Sequence, residues 1–150
     1  MQVIEYVREE VWRQGHNIDT IDGIQRVGWM LNAWSYALGE LPRKPAARDM
    51  VAIGKLIEKH KNKDGIRTCN VRVGDRLCPP HEEVQGLLFS LFAKRDELTS
   101  MDFYRGLLEV HPFADGNGRT GKIILNWLNG TLLNPIFPPN DFWGGWIRNP

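Results

Sequence analysis

Along the first sixty residues, apolar side chains recur at helical spacing. Val3, Val7 and Val11 fall every four positions and predict a short helix over 2–14, closed by Gly15 as a C-terminal cap. Asp19 or Thr20 opens a second helix, with Asp22 in its first turn. Its expected stripe is Ile21, Ile24, Gly28, Leu31 and Leu38, flanked by Val27, Met30, Trp34 and Ala37. So wide a stripe predicts burial over much of the helix surface. Pro42 and Pro45 stop it. A third amphipathic run over 46–60 carries Ala47, Met50, Val51, Gly54 and Ile57 and ends in a basic tail from Lys55 to Lys63. That tail reads as a solvated helix end matched to the dipole.

The pattern then changes. Asp64-Gly65 is a turn signal, Ile66 to Val73 interleaves β-branched residues with Arg67, Thr68, Asn70 and Arg72, and Gly74-Asp75 is a second turn. This predicts the chain's one strand or hairpin. Pro79-Pro80 suits the first turn of a new helix, with Val84, Leu87, Leu88, Leu91 and Phe92 on one face. Thr99 with Asp102 opens another, which carries Phe103, Leu107 and Leu108 up to His111. A last helix spans 117–129. Pro135, Pro138 and Pro139 make an irregular stretch before a Trp-rich tail, Asp141 to Arg148. About six helices and one hairpin give a mostly α class. Trp12, Trp29, Trp34 and Trp127 read as core. Phe142, Trp143 and Trp146 either line a base pocket or cap the bundle's open end.

Composition narrows the function. A chain of 150 residues fits one domain over 1–150 with a real core. Apolar content of 42% and charged content of 25% are ordinary for a globular protein. A net charge of +1 gives no global field for nucleic acid or an anionic membrane, so direct nucleic-acid binding is not expected. No stretch reads as a membrane span or a secretory signal core, and a cytoplasmic protein is expected. Cys69 and Cys78 are too few for a disulfide scaffold. A reduced pair is the plain reading, and a disulfide across the hairpin the other. Arg67, Arg72 and Arg76 would ordinarily be solvated strand charges.

The chemistry concentrates in His111-Pro112-Phe113-Ala114-Asp115-Gly116-Asn117-Gly118-Arg119-Thr120-Gly121-Lys122. Glycines leading into a helix leave backbone N–H groups unpaired at the positive end of a dipole, which suits an anion. A His just before them can act as a base on whatever carries that anion. Gly116, Gly118 and Gly121 also fit G-x-G-x-x-G, and Gly116 to Lys122 fits G-x-x-x-x-G-K. Both patterns need a strand before the first glycine, whereas Phe103 to Val110 reads as helix, and Ile123 stands where the second needs Ser or Thr. Both are set aside.

The run His-Pro-Phe-x-Asp-Gly-Asn-Gly-Arg resembles the signature of the Fic family, H-P-F-x-[DE]-G-N-G-R-x-x-R. Arg67-Thr68, Val71-Arg72-Val73-Gly74 and Pro79-Pro80 resemble that family's upstream hairpin flap and the helix start after it. The resemblance covers about 64–130. It implies a Fic-type helical bundle and transfer of AMP from ATP to a hydroxyl side chain of a target protein, as a toxin or effector that is cytoplasmic or delivered into a host cytosol. By position, His111 would be the general base, and Asp115 would hold Mg²⁺. Gly116, Asn117 and Gly118 would cradle phosphates with backbone and amide donors, and Arg119 would stabilise transition-state charge. Lys122 stands where the family has a second Arg, beside Arg119 on one helix face. It keeps the charge without the planar fork, which leaves donor identity open. Thr68, Cys69, Asn70, Val71, Arg72 and Val73 would dock an extended segment of the target through an exposed edge. The family's inhibitory pattern [ST]-x-x-x-E-[GN] is absent, since no Glu precedes Gly or Asn, so a separate antitoxin or another control is implied. Alternatives are a non-catalytic binding module, an enzyme with another donor, and one that transfers phosphate.

Overall fold

A computed structural model describes residues 1–139. The aromatic tail residues Phe142, Trp143 and Trp146 lie outside the described residues. Among the described residues six helices run in order: α1 (Val3–Arg13), α2 (Ile21–Gly39), α3 (Ala47–Ile57), α4 (His81–Ala93), α5 (Ser100–Val110) and α6 (Asn117–Leu128). Strands β1 (Arg72–Val73) and β2 (Arg76–Leu77) pair antiparallel between α3 and α4, with Arg72 opposite Leu77 and Val73 opposite Arg76. The mostly α bundle with a hairpin is therefore present. The strand is shorter than Ile66 to Val73: only the two residues before Gly74-Asp75 pair as strand, while the segment before them is pulled out of the ladder by contacts to α5 described below.

Polar side chains start the helices where the sequence offers them. Thr20 Oγ1 accepts the Gly23 N–H at 3.1 Å, and Thr99 Oγ1 accepts that of Asp102 at 3.1 Å. Gly15, at φ 90°, ends α1 in the left-handed conformation that only glycine adopts without strain.

The core forms around α6, buried over Asn117–Trp127 and packed by α5, α3 and α2. Met30, Ala33, Trp34 and Ala37 of α2 meet Met50, Ile53 and Ile57 of α3 and Ile123, Ile124 and Trp127 of α6. The stripe expected on α2 is misphased. Ile21 and Ile24 are exposed, and the buried face is Gly23, Arg26, Met30, Ala33, Trp34 and Ala37. Two features set that face: Gly23 sits on the Asn17 carbonyl, which a Cβ would overlap, and Arg26 turns inward to an ion pair. Trp29, Trp34 and Trp127 are buried as expected, but Trp12 lies on the surface. The basic tail after α3 is only partly solvated, because Glu58 and Asn62 within it are buried.

Residues 131–137 fold back over the ends of α1 and α6. Trp34 Nε1 donates to the Leu132 carbonyl at 2.9 Å, and Tyr6 Oη donates to that of Ile136 at 2.8 Å. Asn126 Oδ1 accepts from the Ile136 N–H and the Thr131 hydroxyl. Among the described residues no helix is long and apolar enough to cross a membrane.

Candidate functional site

The site begins where α5 ends. His111 caps that helix at φ 52° and ψ 64°, the one non-glycine residue with positive φ among those described. A side chain there costs roughly 1–2 kcal/mol, so its surroundings must impose it. Two arginines do so. Arg67, 4% exposed, donates to the carbonyls of His111 (2.7 Å), Val110 (3.2 Å), Cys69 (2.9 Å) and Pro79 (2.6 Å), while its own N–H reaches the Pro112 carbonyl at 2.9 Å. Arg76 on β2 holds the carbonyls of Glu109 and Leu108, each at 3.1 Å. Cations at a helix C-terminus satisfy its orphan carbonyls and its dipole together. Arg67 is thus a buried clasp and not a solvated strand charge. It also joins the segment entering the hairpin to the loop that carries His111.

Packing and a side-chain amide shape the loop that follows. Phe113 is fully buried with its ring flat on Gly54, where a Cβ would lie 2.1 Å from a ring carbon. The Asn117 amide closes a two-way clasp on Phe113, accepting its N–H at 2.8 Å and donating to its carbonyl at 2.9 Å. Gly116, at φ 76°, starts α6, and a Cβ there would lie 2.6 Å from Ile57. Its carbonyl takes the Thr120 N–H at 2.9 Å, so the N–H groups of Asn117, Gly118 and Arg119 have no acceptor within the helix.

Asp115 Oδ1 accepts the Gly116 N–H at 2.7 Å, and its Oδ2 meets Lys61 Nζ at 2.8 Å. Burial pushes its pKa up, but Lys61, that N–H and Arg119 prevail and hold it below the usual carboxylate value. Arg119 is 1% exposed. Its Nη2 lies 3.0 Å from Glu58 Oε1 and 3.7 Å from Asp115 Oδ1, while Nε and Nη1 have no partner. Arg26 meets the same Glu58 oxygen at 2.8 Å and pairs with Asp22. Burial, helped by Arg76 and Arg67, pushes the His111 pKa down to about 4 against a pull upward from the Leu108 carbonyl. Its Nδ1 is buried and forms no hydrogen bond of good geometry. His16, in the α1–α2 turn, is held below its ordinary value by burial and then by Arg119 and Arg26.

His111 and Asp115 line a cleft of about 220 Å³ that Arg119, Glu58 and Lys61 do not line. The loop residues His111 and Ala114 to Gly118 form its floor, Arg72 and Val73 of the hairpin one wall, and Gln14 another. Of the expected site residues, His111, Asp115, Gly116, Asn117, Gly118, Arg72 and Val73 line this cleft, and Arg119 does not. The rest of the docking segment divides: Thr68, Cys69 and Asn70 are exposed, and Val71 is half-buried. Asn70 Oδ1 accepts the His81 N–H at the start of α4, and the Val71 carbonyl accepts the Cys78 N–H. Cys69 and Cys78 are both free thiols.

Two expected donors are engaged elsewhere. The Asn117 side chain serves Phe113, which leaves its backbone N–H for an anion. Lys122, expected beside Arg119 over the loop, points into the core instead. Its Nζ meets Glu10 Oε2 at 2.9 Å with 7% of the side chain exposed, and it lies 5.6 Å from the Tyr104 ring centroid. Glu10 is fully buried, and Gln14 donates to the same oxygen at 2.8 Å. So although the inhibitory pattern is absent, a carboxylate does meet the side chain at the motif's last position.

Sequence reasoning missed Glu10, Glu58, Lys61 and Gln14. Glu10 had a readable signal: it is an acid on the Val3–Val7 face of α1, and a lysine within the apolar run of α6 needs such a partner. Glu58 is the lone acid in a basic tail. Lys61 and Gln14 carried none.

A hard divalent cation such as Mg²⁺ is held by one or two carboxylates together with phosphate oxygens. Asp115 offers one ionised carboxylate, about a third exposed on the cleft, with Lys61 on its outer oxygen. That donor set fits the cation in kind. Among the described residues no group of three or more His, Cys, Asp or Glu forms a closed cage.

Among solved structures, the chain is similar to Fic-1 (residues 134–508) from C. elegans, with a TM-score of 0.64 and 20% identity over 85% of this chain. It spans 43% of that solved chain, and at this identity the likeness is one of fold. Over 34 residues, 23% of the chain, it is 50% identical to part of the ribonucleoside-diphosphate reductase small chain of Ostreid herpesvirus 1 (isolate France), and this covers 6% of that protein. The model of the Fic/DOC family matches residues 46–129, from the start of α3 through α6, which takes in the hairpin, the clasp and the whole loop. With more than half of its length matched and the bundle, hairpin and loop in the expected order, the chain belongs to the Fic/DOC family.

Proposed function

We propose that this protein transfers AMP from ATP to a hydroxyl side chain of a target protein docked against the hairpin. The observation that carries this reading is that the imidazole of His111, the partly exposed carboxylate of Asp115 and the first residues of α6 line one cleft, with the buried Arg119, two of its nitrogens unpartnered, 3.7 Å from Asp115 Oδ1. The target's hydroxyl oxygen attacks the α-phosphorus, the bond to the bridging oxygen breaks, and pyrophosphate leaves. His111 accepts the hydroxyl proton. Its pKa near 4 keeps it neutral across the physiological range, and anionic phosphate entering the cleft raises its basicity. The N–H groups of Asn117, Gly118 and Arg119 and the Arg119 guanidinium face the charge that develops on the phosphate oxygens. Asp115 would hold Mg²⁺, which when bound neutralises phosphate charge. Arg72 and Val73 form the wall against which an extended target segment would lie.

A volume of about 220 Å³ is below the roughly 300–1,000 Å³ usual for pockets that enclose whole small molecules. On this reading the cleft takes the phosphates, and the nucleoside extends beyond it. A second reading, a module that binds nucleotide or protein without turnover, is favoured by Glu58, which already neutralises Arg119. Turnover separates the two. Incubation with labelled ATP, Mg²⁺ and cell lysate is expected to label a protein with wild type and at least about 100-fold less with His111→Ala. Label transfer that survives the substitution rules out His111 as the base, and no transfer by wild type favours the binding module. Mass spectrometry of a labelled protein distinguishes AMP from phosphate or another nucleotide.

A further inference from the structure

The loop motif leaves a deficit of positive charge. A triphosphate brings several negative charges, yet the second cation of the motif, Lys122, is sealed against Glu10, and Arg119 shares its charge with Glu58. A cation from another segment reaches the loop. Lys61, in the segment after α3, places Nζ 2.8 Å from Asp115 Oδ2, and its side chain is about half exposed at 54%. Its position is fixed by the neighbouring residue: Asn62 is buried and donates to the Asp115 carbonyl at 2.8 Å and to the Gly54 carbonyl at 3.0 Å. The backbone next to Lys61 is therefore anchored to the phosphate loop while its ammonium stays at the surface, able to swing.

Resting on the phosphate-binding reading above, we propose that Lys61 supplies the second phosphate-facing cation of this site. In the structure it covers Asp115. Exposed ion pairs hold weakly, so the ammonium can release the carboxylate and turn to a phosphate oxygen without moving the backbone. Asp115 is then free for a divalent cation. The lysine thus does from a surface segment what Lys122 cannot do from the core. Arg72, exposed on the hairpin wall, is the competing candidate, but nothing ties it to Asp115.

The test is calorimetric titration of the full chain with inorganic tripolyphosphate. With Mg²⁺ present, Lys61→Ala is expected to weaken binding about tenfold, Lys61→Arg to stay within about threefold of wild type, and Arg72→Ala to change it less than Lys61→Ala. A lysine that merely neutralises Asp115 would also weaken binding when removed, so the deciding arm is run in EDTA on Asp115→Asn. Adding Lys61→Ala to that variant is expected to cost about tenfold again. No further loss there, or an Arg72→Ala loss that exceeds the Lys61→Ala loss, overturns the proposal. If Lys61→Ala is silent while Arg119→Ala abolishes binding, the proposal falls and the phosphate site stands. If wild type does not bind tripolyphosphate, both fall.

Discussion

At the scale of single residues, His111 combines an imposed backbone conformation with an imposed protonation state. Its pKa of about 4 lies below the unfolded value near 6.5, so the unfolded chain binds the extra proton between those limits. Stability from this residue is present above pH 6.5 and is lost as pH falls toward 4. Between pH 7.5 and 5 the loss is about 2 kcal/mol. His111→Asn keeps a residue that tolerates positive φ and removes the titration. Urea denaturation at the two pH values should therefore show a pH-dependent loss smaller by about that amount in the variant. The motif itself was legible because an imidazole, a carboxylate and closely spaced glycines stand in one unbroken run before a helix. The pKa was not, because it is set by burial in the fold and by the charges of Arg76 and Arg67, more than thirty positions upstream.

At the scale of elements, α3 and the loop meet at a glycine. Phe113 lies on Gly54 so closely that an added methyl would overlap its ring. Gly54→Ala should destabilise the protein by about 3 kcal/mol, read from the midpoint of a guanidinium unfolding curve, and should reduce tripolyphosphate affinity because Phe113 anchors the loop through Asn117. Both glycines of this contact, Gly54 and Gly116, are visible in the sequence, but the partners that require them come from distant elements. The helices themselves were legible wherever Thr20, Gly15, Thr99 and the proline pair marked their ends. The phase of α2 was not, because Gly23 and Arg26 face inward, and hydrophobicity alone places neither there.

At the scale of the whole molecule, α1 and α6 are joined through the buried pair of Glu10 and Lys122. Removing one partner leaves a charge without compensation, so Glu10→Leu alone should cost about 3–5 kcal/mol. The double variant Glu10→Leu with Lys122→Met should recover to within about 2 kcal/mol of wild type in thermal unfolding, and its tripolyphosphate affinity should stay within about twofold. A larger change in affinity would mean that Lys122 reaches the phosphates after all. Each member carries a local sign, an acid on the apolar face of α1 and a lysine in the apolar run of α6, but nothing local says that the two meet, since they are separated by most of the chain. The Arg67 clasp has a further consequence at this scale. One guanidinium grips both the base of the hairpin and the carbonyl of His111, so the rail on which a target would lie and the group that would deprotonate it form one rigid part. On the proposed function such a part would work as a ruler, selecting a hydroxyl by its distance along the docked segment. A target whose hydroxyl is displaced by two residues would still dock, and would present the wrong side chain to the imidazole.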